Sequence, residues 1–199
     1  MTMKKIRGFT IIELMVTVAI GAVLVAVAIP SFDPFIKKSR MTAATNELVS
    51  ALHIARNEAI KSRTVTCVCP STVDTANLAC DVINDWESGW IVFTEAGADC
   101  DYTDGVDRLI KTQNGNDFGS EITIRSKDLS ISTVNYVRYT SRGAPQRSNG
   151  AIQQGVFSIC DGRGLEATGN NESVARAVQL SAAGSVRSSK KIPVIQSCP

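Results

Sequence analysis

The sequence predicts an α+β protein in which one long N-terminal helix packs on antiparallel β-sheets. Three observations predict it. An apolar run from Phe9 to Ile29 passes into a stretch with helical spacing that lasts to Ala59. From Arg63 onward a two-residue alternation replaces that spacing. No regular alternation of strands with helices follows, which argues against parallel βαβ units. The 199 residues suffice for one globular domain with an appendage. A composition of 44% apolar and 20% charged residues excludes disorder, and a net charge of +2 argues against a nucleic-acid coat or polybasic membrane binder.

Residues 1–8 carry Lys4, Lys5 and Arg7 and no acid. The next 21 residues, Phe9 to Ile29, hold one charge, Glu13. As a helix rising ~1.5 Å per residue they span roughly 31 Å, enough for the ~30 Å hydrocarbon of a bilayer. The basic flank sets the N-terminus on the cytoplasmic side. A carboxylate in such a run costs several kcal/mol unless neutral or paired, so Glu13 is either a tolerated residue near the headgroups or a functional one. No small-residue cleavage site follows the run; the conspicuous junction is Gly8-Phe9, before it.

Pro30 removes a helical hydrogen bond, and Pro34 follows four residues later, so residues 30–35 are expected to be the least regular part of the helix. Beyond them Met41, Ala44, Leu48, Leu52, Ala55 and Ala59 form a stripe on one face, extending the helix to residue 62. Residues 63–199 then form the globular part. Strands are expected at 64–68, 90–94, 108–112, 121–125, 135–140, 155–160 and 175–181, with Asn114-Gly115 and Asn149-Gly150 as turn signals. Trp86, Trp90 and Phe93 read as core or helix-facing residues.

The 6 cysteines favour disulfides in a domain exported past a membrane. Six cysteines allow 15 pairings. The preferred set is Cys69–Cys80 closing a short loop, Cys67–Cys100, and Cys160–Cys198 pinning the C-terminal tail. A zinc site on Cys67, Cys69, Cys80 and Cys100 is the alternative, against which its spacing argues. No cofactor or metal is expected. Asp99, Asp101, Asp104 and Asp107 miss the regular spacing of a calcium loop and read as a solvated turn.

The single His53 sits on the helix, no phosphate-cradling glycine motif or HExxH occurs, and catalysis is not expected. Charge is sorted along the chain. Residues 64–119 hold 2 basic and 10 acidic groups, and residues 120–199 hold 10 basic and 5 acidic, which suits assembly with sign-complementary neighbours.

The string Gly8-Phe9-Thr10-Ile11-Ile12-Glu13-Leu14, behind a short basic leader and ahead of Pro30, closely resembles the class III signal of type IV pilins and type II secretion pseudopilins. The resemblance implies that a prepilin peptidase cuts after Gly8 and that Phe9 becomes the N-methylated terminus. Glu13 would then be the fifth mature residue, an assembly contact, and Pro30 the twenty-second. The segment Ala55-Arg56-Asn57-Glu58-Ala59-Ile60 and the run from Cys80 through Asp85-Trp86-Glu87-Ser88-Gly89-Trp90-Ile91-Val92-Phe93 are similar to minor pilins and pseudopilins of the FimU, FimT and GspH group. That implies the type IV pilin fold and a minor subunit that primes or caps a pilus at its tip. A GspH-type pseudopilin of type II secretion is the alternative. Implied partners are other minor and major pilins, the prepilin peptidase and the inner-membrane assembly platform. The chain would sit in the inner membrane with its C-terminus periplasmic, and in the pilus tip or pseudopilus after assembly. Some FimT-type pilins are thought to bind DNA through Gly-Arg-x-Arg; here the matching place reads Gly184-Ser185-Val186-Arg187. A phosphate-contacting patch would combine Arg187, Lys190, Lys191, Arg142 and Arg147.

Overall fold

The computed structural model describes residues 8–71, 78–81, 86–97, 99–128, 136–195 and 198, with the side chains of residues 27–31 outside the described set. Residues 1–7 of the leader expected at 1–8, the side chain of Pro30, Asp85 and Asn135 lie outside the described residues. Two compact units are present, Met1–Lys38 and Ser39–Pro199, and the division falls inside the long helix α1, Ile11–Ser62.

α1 is continuous through Pro30 and Pro34, so the expected irregularity at 30–35 does not interrupt it. A proline φ is compatible with helix, and each proline removes only one of the helix's donors. In the first unit the apolar side chains Ile11, Ile12, Leu14, Met15, Val16, Val18, Ile20, Val23, Leu24 and Val25 are all exposed. Among the described residues no helix is long and apolar enough to cross a membrane. The apolar run in the sequence continues into residues 27–29, whose side chains lie outside the described set.

In the second unit the same helix buries one face completely: Met41, Ala44, Leu48, Ala51, Leu52, Ala55 and Ala59. Four of these are alanines, which lets the sheets approach the helix closely. Arg63, at φ 55, adopts the left-handed conformation that terminates helices.

Two antiparallel sheets pack on this stripe. The first has the order β3-β2-β1-β5, built from β1 Val65–Pro70, β2 Gly89–Glu95, β3 Arg108–Asn114 and β5 Val137–Tyr139. The second contains β4 Thr123–Asp128, β6 Gly155–Cys160, β7 Ala167–Gly169, β8 Glu172–Leu180 and β9 Val186–Lys191, in the order β4-β6-β8-β7 with β9 pairing β8. The short β7 and the polar β9 carry no apolar alternation and are not legible as strands.

Alternation divides the side chains between layers. Val68, Trp90, Val92, Val137 and Tyr139 from the first sheet share a core with Ile124, Phe157, Ile159, Val178 and Leu180 from the second and with the helix stripe. Trp86 meets Phe157 edge-on at 5.0 Å and Trp90 stacks on Phe118 at 5.8 Å within that core. Phe93 is buried in a second cluster with Cys67, Cys69, Ile91, Cys100 and Tyr102. A third cluster joins Val156, Cys160, Ala175 and Ala177 to Ile195 of the tail.

Candidate functional site

Gly8 is exposed, and a Cβ built on it would meet nothing within 4 Å. Among the described residues nothing therefore demands glycine there on steric grounds. Phe9 follows, 80% exposed. Thr10 then caps α1. Its hydroxyl accepts from the Glu13 N–H at 3.3 Å and its carbonyl from the Leu14 N–H at 3.1 Å, while the Glu13 carboxylate accepts from the Thr10 N–H at 3.5 Å. This reciprocal capping box is written in the sequence as Thr-x-x-Glu, a local signal that marks the helix start independently of the apolar run. It spends only part of the carboxylate's acceptor capacity, and Glu13 is exposed.

The Ala55–Ile60 segment fastens the far end of the helix to both sheets. Ala55 and Ala59 are buried, so the residues between them emerge at the rim. Arg56 donates to the Ala183 carbonyl at 3.0 Å, in the turn between β8 and β9. Its Nε lies where added Cβ atoms on Gly143 and Gly184 would come to 3.2 and 3.3 Å, so two glycines form its slot. Glu58 pairs with Arg108 on β3 and with Lys61 at 3.7 Å. Glu47, earlier on the same helix, accepts from Lys111 at 2.5 Å.

The run around Trp86 explains itself by close backbone approach. A Cβ on Gly89, at φ 124, would lie 2.3 Å from the Gln113 carbonyl oxygen, so glycine is required. Burial raises the Glu87 carboxyl, but the hydrogen bonds from Arg125 and the Ile124 N–H outweigh that and hold it below its ordinary value.

The structure brings the cysteines together as Cys67–Cys100, Cys69–Cys80 and Cys160–Cys198, with Cα separations of 5.8, 5.5 and 5.7 Å. The four sulfurs of the zinc alternative are thus bonded to one another, and a disulfide sulfur is not the thiolate that zinc requires. Beside the first bridge Glu95 is buried. It accepts from the Cys100 N–H at 2.5 Å and lies 3.7 Å from Arg138 Nε. Burial pushes its carboxyl above the ordinary value, more than the Cys100 and Asp99 amides and Arg138 lower it. Asp107 accepts from the Ala96 and Thr103 amides, tying the loop 96–107 to itself, while Asp99, Asp101 and Asp104 stand exposed. His53 is exposed on α1.

Of the five basic residues that could contact nucleic acid, Arg187, Lys190 and Lys191 lie on β9. Arg142 lies in a turn next to Gly143, whose carbonyl touches Gly184 at the start of the β9 hairpin. Arg147 belongs to a separate turn closed by Gly150.

Residues 44–184 match the family described as type II transport protein GspH. The chain belongs to the GspH family. Residues 3–29 also match the prokaryotic N-terminal methylation motif. Most of the buried core of this GspH-family protein thus lies within one match, and the basic N-terminal residues and the apolar run to Ile29 within the other. It is 47% identical over 58 residues to a fimbrial protein of Pseudomonas aeruginosa, 29% of this chain and 37% of that one. It is 38% identical over 64 residues to a probable minor fimbrial protein of Dichelobacter nodosus, 32% of this chain and 40% of that one. The matches therefore span well under half the length of these curated relatives. In fold it is similar to the type IV minor pilin FimU of P. aeruginosa, with a TM-score of 0.52 over 80% of this chain and 99% of that one at 19% identity. The GspH-family protein accordingly has the type IV pilin fold and belongs with minor pilins and pseudopilins, a family of structural subunits rather than enzymes.

Proposed function

We propose that the protein is a minor subunit of a type IV pilus that primes or caps assembly at the tip. The observation that carries this reading is the exposed apolar surface that runs from Phe9, ahead of α1, along the helix to Val25, beginning at the Gly8-Phe9 junction. A surface of that size is stable in water only when covered, first by lipid and then by the helices of neighbouring subunits. In this reading the helix lies in the inner membrane until assembly, the prepilin peptidase cuts after Gly8 and methylates Phe9, and Pro30 allows the helix to adapt between its two settings. The globular unit faces the periplasm, where three disulfides persist.

The family description supports a second reading, a pseudopilin of a type II secretion system. Both readings use the same helix and differ in the assembly it joins. The test is replacement of Gly8 by a bulky residue in cells that make both assemblies, with membrane and filament fractions followed by mass spectrometry. The wild type should carry methylated Phe9 and co-purify with pilus subunits, while the variant remains a full-length membrane precursor. Recovery with secretion-system subunits alone would select the pseudopilin reading, and an unprocessed wild type would remove both.

A further inference from the structure

Cys67 and Cys69 stand two apart on β1 and so point to one face, where Cys100 and Cys80 meet them in and around a single buried cluster. Four cysteines this close allow three pairings. Register gives one bridge a neighbour that the other lacks. Glu95 stands opposite Val65, one side-chain step from Cys67 on the same face, whereas Cys69 lies four residues beyond Val65, about 14 Å along the strand. Glu95 Oε2 lies 3.5 Å from Cys67 Sγ and 3.9 Å from Cys100 Sγ, while Oε1 accepts from the Cys100 N–H at 2.5 Å. All three residues are buried. A disulfide sulfur has no proton to donate, so in the closed bridge the Oε2 contact is not a hydrogen bond. With thiols in place of the bridge it becomes one, and the carboxylate is set to take the proton.

The surroundings suit a base. Arg138 on β5, opposite Cys67, lies 3.7 Å from Oε2 through Nε. From the loop, Asp99 hydrogen-bonds to the carboxyl, Asp107 holds the Ala96 amide next to it, and the Tyr102 phenol packs in the adjoining cluster. Burial raises the carboxyl above its ordinary value, which makes its ionised form a stronger base than an exposed glutamate. The two cysteines also differ in access. Cys67 is in the middle of β1, paired with β2 on one side and β5 on the other. Cys100 is carried on the loop 96–107, between the exposed Asp99 and Asp101.

We propose that Glu95 is the base that closes the Cys67–Cys100 bond as the domain matures: an external disulfide couples first to Cys100, and Cys67 resolves it. In the first step the Cys100 thiolate attacks the external disulfide, forming a mixed disulfide and releasing one thiol. In the second, the Glu95 carboxylate takes the Cys67 thiol proton and Cys67 Sγ attacks Cys100 Sγ. The new bond forms as the bond to the external sulfur breaks, and that sulfur leaves as a thiolate, which the proton from Glu95 neutralises. Two electrons pass from the cysteine pair to the external disulfide, which ends as two thiols. With Cys69 beyond its reach, Glu95 favours one pairing of the three. The proposal is independent of which assembly the subunit joins.

The test uses the full-length chain in detergent, reduced, freed of reductant and exposed to oxidised glutathione. Acid quenching, alkylation and peptide mass spectrometry then read each bond. In the wild type, trapped glutathione should be found on Cys100. In Glu95→Gln the mixed disulfide on Cys100 should accumulate, because its conversion to the Cys67–Cys100 bond at pH 6 slows about a hundredfold, the lower end of what a positioned base contributes. From pH 6 to pH 8 that conversion should climb about tenfold per unit in the variant, as the ionisation of a free thiol does, and less steeply in the wild type. Closure of Cys69–Cys80 should be unchanged. Glutamine still accepts from the Cys100 N–H, and near-ultraviolet circular dichroism of the oxidised variant checks the fold. Equal conversion rates in wild type and Glu95→Gln, glutathione on Cys67 instead of Cys100, or equal slowing at Cys69–Cys80 would each overturn the proposal.

Discussion

At Glu13 one carboxylate serves two candidate roles, and they make different demands on the residue. As the fourth member of a capping box it needs only an acceptor, which glutamine also supplies. As a partner for a neighbour's terminal amine in an apolar surrounding it needs the charge. Glu13→Gln should therefore preserve the helix start yet impair co-purification with other pilins as strongly as Glu13→Leu. Thr10→Ala should cost about 1 kcal/mol at the cap and leave association intact. Full association of Glu13→Gln would reduce Glu13 to a cap. Glu95 and Glu87 make opposite contributions to pH dependence. The folded-state pKa of Glu95 is raised above the ordinary 4.5, so the folded chain binds its proton more readily and stability falls as pH rises from 4.5 through the raised value. For Glu87 it is lowered, so its stabilisation is present above 4.5 and is lost as pH falls through the lower value. Melting temperatures across that range should show Glu95→Gln gaining on the wild type toward neutral pH, and Glu87→Gln converging with it in acid. The Thr10–Glu13 cap is legible in the sequence because local spacing marks it, and the even cysteine count favours disulfides without fixing which residues pair. Glu95 is not legible, because its burial arises from Cys100 and Arg138, which only the fold brings to it.

Among the elements, the helix and the strongly alternating strands follow from periodicity, since each buries one face against a common core. β9 escapes that logic. Val-Arg-Ser-Ser-Lys-Lys offers one apolar side chain, and its pairing with β8 depends on the hairpin that precedes it. Gly184 holds that hairpin at φ +77, a conformation that suits glycine, and a Cβ there would fall 2.3 Å from the Gly143 oxygen and 3.3 Å from Arg56 Nε. Three elements thus meet at one missing side chain: the end of α1, the turn after β5 and the β8–β9 hairpin. Gly184→Ala should destabilise the protein by about 1–3 kcal/mol. Chemical denaturation would register the loss as a lower midpoint, and an unchanged midpoint would show that the hairpin shifts freely away from α1. The same sequence stretch explains why Arg187 reads only as part of a charge run: its place beside Gln179 is set by register across β8, which no local pattern encodes.

Across the whole molecule, the two units obey different rules for burial. In the first, none of the described side chains is buried; in the second, the three core clusters begin no earlier than Met41. Among the described residues, the apolar side chains from Phe9 to Val25 and from Phe32 to Ile36 belong to none of the three core clusters. Their free energy of burial is gained only when lipid or other helices cover them. Deleting residues 1–37 should then leave the globular unit folded. The new chain start also places Ser39 ahead of Arg40 and Met41, where its hydroxyl can cap the shortened helix. All three disulfides and the ion pairs of Glu47 and Glu58 with β3 remain. Differential scanning calorimetry should give one cooperative transition within about 4 °C of the full-length protein in detergent, equivalent to roughly 1 kcal/mol. Sedimentation should show that the truncated chain no longer needs detergent to stay dispersed, because the exposed apolar face has gone. A non-cooperative melt, or a fall beyond about 10 °C, would mean that the N-terminal half of α1 helps hold the sheets together after all.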